Sequence, residues 1–234
     1  MEKRKAIYEG KAKILYETDN PDLLIQYFKD DATAFNAQKK GTIHSKGIMN
    51  NKISTKIFEF LQTQGIPTHF EKSLSDREML VKRVQIVPIE VIVRNKAAGS
   101  LSRLLALPEG TALACPTLEF CYKEDKLGDP MITEYHIRAL KLATDEEIRM
   151  ISQYALKVNE LLSKFFAKLN LELIDFKLEF GRAKGKIILA DEVSPDTCRL
   201  WEIGTGKKMD KDRFRQDLGN IEEAYQEVLN RVSK

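Results

Sequence analysis

The sequence predicts an α+β fold built on a mostly antiparallel sheet. Three observations predict it. Strand-like runs precede and follow helix-like runs without the repeated βαβ rhythm of a parallel sheet. Residues 174–180 alternate between apolar and charged side chains, and a glycine-bounded turn leads to a second apolar run at 187–193. Residues 144–169 carry apolar side chains at spacings of three and four, the period of one long amphipathic helix.

In chain order, residues 6–15 read as a strand, a turn at Gly10 and a second strand, and residues 23–28 as a third. Residues 44–62 read as a helix, because Ile53, Ile57, Phe60 and Leu61 recur at i, i+4, i+7 and i+8; Gly65 and Pro67 stop it. Residues 79–84 and 89–93 are β-rich. Pro88 between them cannot donate to a ladder, so the reading breaks the strand there and divides the chain into segments 1–84 and 85–234. Residues 99–106 suit a short helix and residues 117–122 a strand, followed by a turn at Gly128-Asp129-Pro130.

The long helix opens on a capping box, Thr144 with Glu147, and two more acids in its first turn complement the helix dipole. Ile148, Ile151, Ala155, Val158, Leu162, Phe165 and Leu169 form its apolar stripe, which suits plain core packing. On the strand that follows, Ile174, Phe176, Leu178 and Phe180 point one way, and Asp175, Lys177 and Glu179 the other. A final helix over 221–232 packs through Ile221, Tyr225, Val228 and Val232.

Composition narrows the function classes. With 234 residues, 43% of them hydrophobic, the chain can build a core as one unit or as two lobes sharing a cleft. A net charge of +3 does not by itself argue for nucleic-acid binding, and the 8% aromatics are not interleaved with the basic clusters as stacking platforms would be. No apolar stretch approaches the ~18 residues of a membrane span. Met1-Glu2-Lys3-Arg4-Lys5 is followed by no apolar run, which argues against a secretory signal. Cys115, Cys121 and Cys198 cannot all pair and form no C-x-x-C, so reduced thiols in the cytoplasm are expected.

Four clusters carry chemistry. In Glu9-Gly10-Lys11-Ala12-Lys13, two lysines two apart on a strand share a face beside a glycine and suit a polyphosphate; a solvated hairpin tip would look the same, and no P-loop pattern is present. Asp175, Lys177 and Glu179, with Asp191 on the returning strand, offer oxygen ligands without His or Cys, which suits Mg²⁺; a polar face knitted by salt bridges is the alternative. If Glu179 and Asp191 share one ion, they must lie on one face, which requires an odd-length loop centred on Gly185. A two-residue loop would set Asp191 against Leu178.

The third cluster, residues 191–199, packs acids, hydroxyls and Arg199 into a stretch with a proline and no helical period, the composition of a functional loop or a surface turn. The fourth, residues 93–100, puts Arg94 among small residues. There it could clamp a carboxylate or phosphate through paired hydrogen bonds, or bridge secondary elements. His44, His69 and His136 have no ligand-like spacing and read as packed or surface residues.

These clusters in this order resemble the signatures of the SAICAR synthetase family: Tyr8-Glu9-Gly10-Lys11-Ala12-Lys13, Arg94-Asn95-Lys96-Ala97-Ala98-Gly99-Ser100, Asp175-Phe176-Lys177-Leu178-Glu179-Phe180-Gly181, and Asp191-Glu192-Val193-Ser194-Pro195-Asp196-Thr197-Cys198-Arg199-Leu200-Trp201. The resemblance runs from about Tyr8 to Arg215. Ser45 stands where the family usually has glycine before a Lys-Gly pair.

The resemblance implies two lobes, a small β-rich kinase-like lobe over residues 1–84 that lids ATP, and a larger catalytic lobe related to ATP-grasp enzymes over 85–234. It implies an ATP- and Mg²⁺-dependent ligase that activates the carboxylate of CAIR as an acyl phosphate and joins it to L-aspartate, giving SAICAR, ADP and phosphate. A homodimer is compatible with it. Residue by residue, it implies that Lys11, Ala12 and Lys13 meet the ATP phosphates, that Lys82, Arg83 and Val84 offer backbone groups to adenine, and that Glu179 and Asp191 hold Mg²⁺. Arg94, Ser100, Asp196 and Arg199 would bind CAIR or aspartate. Lys123, Asp129, Asp175, Lys177 and Arg215 would line the cleft, with Lys123 toward ATP, Asp129, Asp175 and Arg215 toward the substrates, and Lys177, Asp196 and Arg199 closest to the chemistry. Two rival readings are a kinase-like phosphotransferase, which would need no amine, and an RNA-binding module.

Overall fold

A computed structural model describes residues 2–34 and 39–234. Met1, where the leader reading begins, lies outside them, as do residues 35–38. The N-terminal part holds strands β1 (Lys3–Glu9), β2 (Lys13–Thr18), β3 (Leu23–Phe28), β4 (Asp31–Ala34) and β5 (Lys39–Thr42), helix α1 (Lys46–Thr63), then β6 (Phe70–Ser73) and β7 (Glu78–Lys82). There follow β8 (Gln85–Lys96), α2 (Ser100–Leu105), β9 (Ala112–Tyr122), β10 (Met131–Ile132), α3 (Glu134–Ala139), α4 (Asp145–Lys168), β11 (Leu171–Ala183), β12 (Lys186–Ala190), β13 (Cys198–Glu202), α5 (Asp212–Arg215) and α6 (Ile221–Val232). Mixed α and β elements on antiparallel sheets are as the sequence predicts.

Two sheets carry the fold. One has five strands in the order β1-β2-β3-β7-β6; the other has six, β10-β9-β8-β11-β12 with β13 also paired to β11. All their strand pairs are antiparallel. A parallel bridge between Thr68 and Leu189 ties the two together. Helix α4 lies on the six-stranded sheet through Ile148, Ile151, Ala155, Val158, Leu162 and Phe166, all buried. Its capping box forms as expected: Thr144 Oγ1 accepts from the Glu147 amide at 3.2 Å, and Glu147 Oε2 from the Thr144 amide at 2.8 Å. Helix α1 buries Ile53, Ile57 and Leu61 completely, and α6 packs against it through Ala224, Tyr225 and Val228.

Three expectations are corrected. Pro88 does not end a strand: β8 runs unbroken for 12 residues through it. The register with β11 slips between Glu179 and Gly181, which pair with Glu90 and Ile86, so a bulge at Pro88 absorbs its missing donor. Second, Lys11 lies in the turn before β2 rather than on a strand face shared with Lys13. Third, the loop between β11 and β12 is even. Ala183 pairs with Lys186, leaving Lys184 (φ 49) and Gly185 (φ 77) as a two-residue turn with both central residues left-handed. The hairpin β4–β5 is an element that the sequence pattern did not announce. Ser45, where the family usually has glycine, is left-handed at φ 59, a conformation glycine adopts without cost.

Candidate active site

Two cavities meet over the polar face of β11. The first, about 510 Å³, lies between the two sheets. The second, about 320 Å³, lies beyond it toward α2 and α5. Lys11, Thr33, Lys177, Asp196, Thr197 and Lys211 line both, so the cavities are continuous.

The first cavity is organised by lysines pairing with carboxylates. Lys177 Nζ donates to Glu90 at 2.8 Å and to Glu179 at 2.7 Å; Lys123 Nζ donates to Glu179 at 2.8 Å. Glu90 and Glu179 are direct cross-strand partners, and like charges so placed repel unless a cation intervenes. Burial pushes the Glu179 carboxyl up, but Lys177 and Lys123 outweigh it and hold it well below the usual carboxylate range. Lys13 pairs with Asp191, and with Glu192 at 3.0 Å. Burial alone would lower the Lys13 ammonium pKa; Asp191 and Glu192 reverse that and raise it. Lys11, at the rim, donates to Asp125 at 2.7 Å.

The even hairpin loop would separate Asp191 from Glu179 if Asp191 stayed in the pleat, but it does not. Strand β12 ends at Ala190, and Asp191 takes the left-handed conformation at φ 64. Both carboxylates then line the first cavity. The expected register is therefore wrong, and what brings Asp191 to the cavity is a left-handed backbone conformation that Asp bears better than most residues. Asp191 is pushed up by burial; Lys13 opposes this, and the Glu179 charge adds to it. Among the described residues no group of three or more His, Cys, Asp or Glu could hold a metal alone.

Ala12, Lys82, Val84, Lys123 and Asp129 also line the first cavity. Asp129, expected on the substrate side, sits with the nucleotide candidates. Gly181 makes room for Val84: a Cβ there would meet Val84 Cγ2 at 2.5 Å. Arg83 points away, its Nε donating to Pro21 O and its amide to Asp22 O, both at 2.7 Å. The Lys82 amide is likewise used, by His69 O at 2.7 Å.

The second cavity is built on guanidinium groups. Arg94, buried at 2% exposure, donates to Asp175 at 2.7 Å, to Ser100 Oγ at 2.9 Å, and to both Glu119 oxygens at 2.9 Å. Of its two sequence readings, this geometry is the bridge. Arg199 donates from Nη1 to both Asp175 oxygens (3.0 and 2.8 Å) and from Nε to Asp212 at 2.8 Å, and its Nη2 lies over Gly99. A Cβ at Gly99 would collide with Arg199 Nη2, and Gly99 sits at φ 54, so glycine is required on two counts. Asp212 also accepts from Arg215 at 2.6 Å. Asp196 joins the cavities. Its Oδ1 accepts from the Tyr225 hydroxyl at 2.7 Å and its Oδ2 from Lys46 at 2.6 Å. Burial pushes Asp196 up, but Lys211, Lys46 and Tyr225 hold it far below the usual range.

Sequence reasoning gave no site role to Glu90, Lys46, Lys211, Asp212 and Tyr225, and it named Glu192 only as part of the 191–199 cluster. Glu90 left a trace, as the one acid in the apolar run 89–93. Lys211 and Asp212 sit in a charge-rich run that reads as solvated surface, and Tyr225 was placed in the packing stripe of its helix.

A nucleotide-sized cleft edged with lysines and carboxylates, opening into a guanidinium-lined pocket, defines an enzyme that brings two anionic substrates together. Comparison with known proteins agrees. The family model of SAICAR synthetase matches residues 6–232. The phosphoribosylaminoimidazole-succinocarboxamide synthase of Caldanaerobacter subterraneus subsp. tengcongensis is 60% identical over 234 residues, all of both chains. That of Lachnoclostridium phytofermentans is 59% identical over 99% of each. The crystal structure of the Ehrlichia chaffeensis enzyme superimposes with a TM-score of 0.97 at 48% identity, covering 98% of each chain. A SAICAR synthetase solved in complex with ADP gives 0.94 at 47% identity, covering 98% of this chain and 97% of that one. The chain belongs to the SAICAR synthetase family, the ligases of purine biosynthesis that make SAICAR from CAIR and aspartate.

Proposed function

We propose that the two cavities divide the reaction, the first holding ATP and the second the anionic end of CAIR. The carrying observation is their continuity over β11, with Lys177 and Asp196 lining both. Lys11, Ala12 and Lys13 meet the phosphates, backbone groups of 82–84 meet adenine, and Lys123 neutralises charge beside Glu179. Arg199, Arg215 and Ser100 bind CAIR or aspartate, with Arg94 and Asp175 fixing their positions.

A carboxylate resists amine attack because its charge repels nucleophiles and oxide leaves poorly. In the proposed first step a CAIR carboxylate oxygen attacks the γ-phosphorus and ADP leaves. In the second the aspartate amine attacks the acyl carbon, phosphate leaves and the nitrogen sheds a proton. Neither step needs a protein nucleophile; both need placement and charge neutralisation, which the lysines and arginines supply. Lys177, Asp196 and Arg199 lie closest to the reacting groups.

Glu179 and Asp191 fit Mg²⁺. Both are carboxylates facing one cavity, their ligand atoms are hard oxygens, and their mutual repulsion is of the kind a cation relieves. Phosphate oxygens and water would complete the shell. When bound, the ion supplies neutralising charge to the phosphates.

The wider reading is a two-lobed molecule, residues 1–84 as a kinase-like lid and 85–234 as an ATP-grasp-related catalytic lobe, acting in the cytoplasm without nucleic-acid or membrane partners and compatible with a homodimer. The split of strands supports the lobes: β1–β7 supply the five-stranded sheet and the β4–β5 hairpin, and β8–β13 supply the six-stranded sheet. No helix among the described residues is long and apolar enough to cross a membrane. Nucleotide-binding calorimetry on Lys13→Ala and Arg199→Lys tests the division of the cavities: the first should lose ADP affinity and the second should keep it. The reverse result would overturn it.

A further inference from the structure

We infer that Lys211 is a catalytic residue that contacts the reacting carboxylate of the substrate as it crosses from the second cavity to the first. The inference rests on the assignment of the two cavities to ATP and CAIR. Six residues line both cavities, three of them lysines. Lys11 is hydrogen-bonded to Asp125 and Lys177 to Glu90 and Glu179. Lys211 differs: its nearest carboxylate among the described residues is Asp196, at 3.7 Å, beyond hydrogen-bond reach.

The cause is visible in the packing. Lys46 on α1 and Tyr225 on α6 take one Asp196 oxygen each, and both are buried. Both Asp196 oxygens are thus already engaged by buried partners, and among the described residues Lys211, its side chain 14% exposed, finds no acceptor within hydrogen-bond reach for its three N–H donors. A nearly buried ammonium without an acceptor is costly unless a ligand supplies one. Burial lowers the Lys211 pKa, and the nearby cations Lys46 and Arg215 add to the shift, outweighing the opposing charges of Asp196 and Glu192. The group that must pass this junction is the carboxylate that receives the phosphoryl group, and its charge and geometry change there.

Two variants test it, with wild-type turnover measured first. No SAICAR from the wild type would defeat the ligase reading itself, whatever Lys211 does. Given wild-type turnover, Lys211→Met should lower kcat by at least ~10²-fold, the loss typical of removing one transition-state donor. Its ADP affinity, by calorimetry, should stay within about threefold, because the ATP side keeps its own lysines. A kcat within about threefold of wild type, or a loss confined to ADP affinity, overturns the inference. If the neutral variant does not fold, Lys211→Arg decides. A reduced kcat whose alkaline limb moves to higher pH supports contact with the reacting group, since guanidinium stays charged. An unchanged kcat and pH profile overturns it.

Discussion

The two cavities meet over one strand yet are built from different cations, and the difference follows from what each must do. The first uses lysines, flexible point charges whose carboxylate partners come from β8, β11 and the segment after β12. On the proposed division such pairs re-form when phosphates and an ion enter. The second uses arginines whose planar forks are fixed on buried carboxylates: Asp175 holds Arg94 and Arg199, and Asp212 holds Arg199 and Arg215. It is preorganised, and its cost was met on folding. The first cavity tolerates rearrangement, and the second fixes a position.

The largest expected effect lies where the first cavity depends on one backbone strain. Asp191→Asn keeps the left-handed conformation, which Asn also accepts, but removes a charge. Turnover should fall more than ~10²-fold with the melting temperature nearly unchanged. A collapse in melting temperature would mean that Asp191 holds the fold rather than the chemistry.

Arg199→Lys comes next. Lysine cannot bond Asp175 and Asp212 at once in the way the fork does, so kcat/KM for CAIR should fall roughly 10- to 100-fold, the equivalent of a charge-assisted bond. Wild-type kinetics would show that the second cavity needs charge alone. Lys13→Ala should weaken ADP binding by roughly 10-fold or more, and the loss should shrink with added Mg²⁺ if the ion takes over pairing with Asp191. An affinity unaltered in a folded variant would remove Lys13 from the phosphate site.

The smallest net effect in the wild type separates the cavities by pH, because two opposed titrations nearly cancel. His69, in the wall of the first, is pushed down to about 3 by burial and by Lys13. Its folded value lies below its unfolded one, so the unfolded chain binds the extra proton, and this contribution to stability is lost as pH falls from about 6.5 toward 3. Asp210, which sits behind the second cavity and accepts from the Leu200 and Asp212 amides, is pushed up to about 7 by burial and by Asp212. Its sign is opposite: stability is gained as pH falls from about 7 toward 3.8. Each slope approaches ~1.4 kcal/mol per pH unit, so over the shared window they nearly cancel. Urea denaturation should show acid stabilisation in His69→Gln and acid destabilisation in Asp210→Asn. Parallel slopes in both variants would break the assignment.

How far this was legible in the sequence varied with the physics of each feature. Periodicity exposed α1, α4, α6 and the alternating face of β11, because burial imposes a period that residue type records. Motif chemistry drew attention to Lys13, Glu179, Asp191, Arg94 and Arg199, all of which line one of the two cavities. What stayed hidden depends on three dimensions. The bulge at Pro88 and the left-handed Asp191 are local departures that tertiary contacts hold in place. Lys46, Tyr225 and Lys211 converge on Asp196 from three distant stretches of chain, and no spacing encodes that. The even hairpin loop shows the risk of arguing register from function: Glu179 and Asp191 line one cavity, but not through the register that a shared ion was taken to require.

The central claim is that the continuous cavities couple phosphoryl transfer to amide formation. The most direct test incubates the purified chain with ATP, Mg²⁺ and CAIR, with and without L-aspartate, and follows ADP by coupled assay and product by mass spectrometry. The account predicts sustained ADP release only when aspartate is present, matched one to one by SAICAR. Sustained ADP release with CAIR alone, unchanged by aspartate and without SAICAR, would make the protein a phosphotransferase and contradict the account.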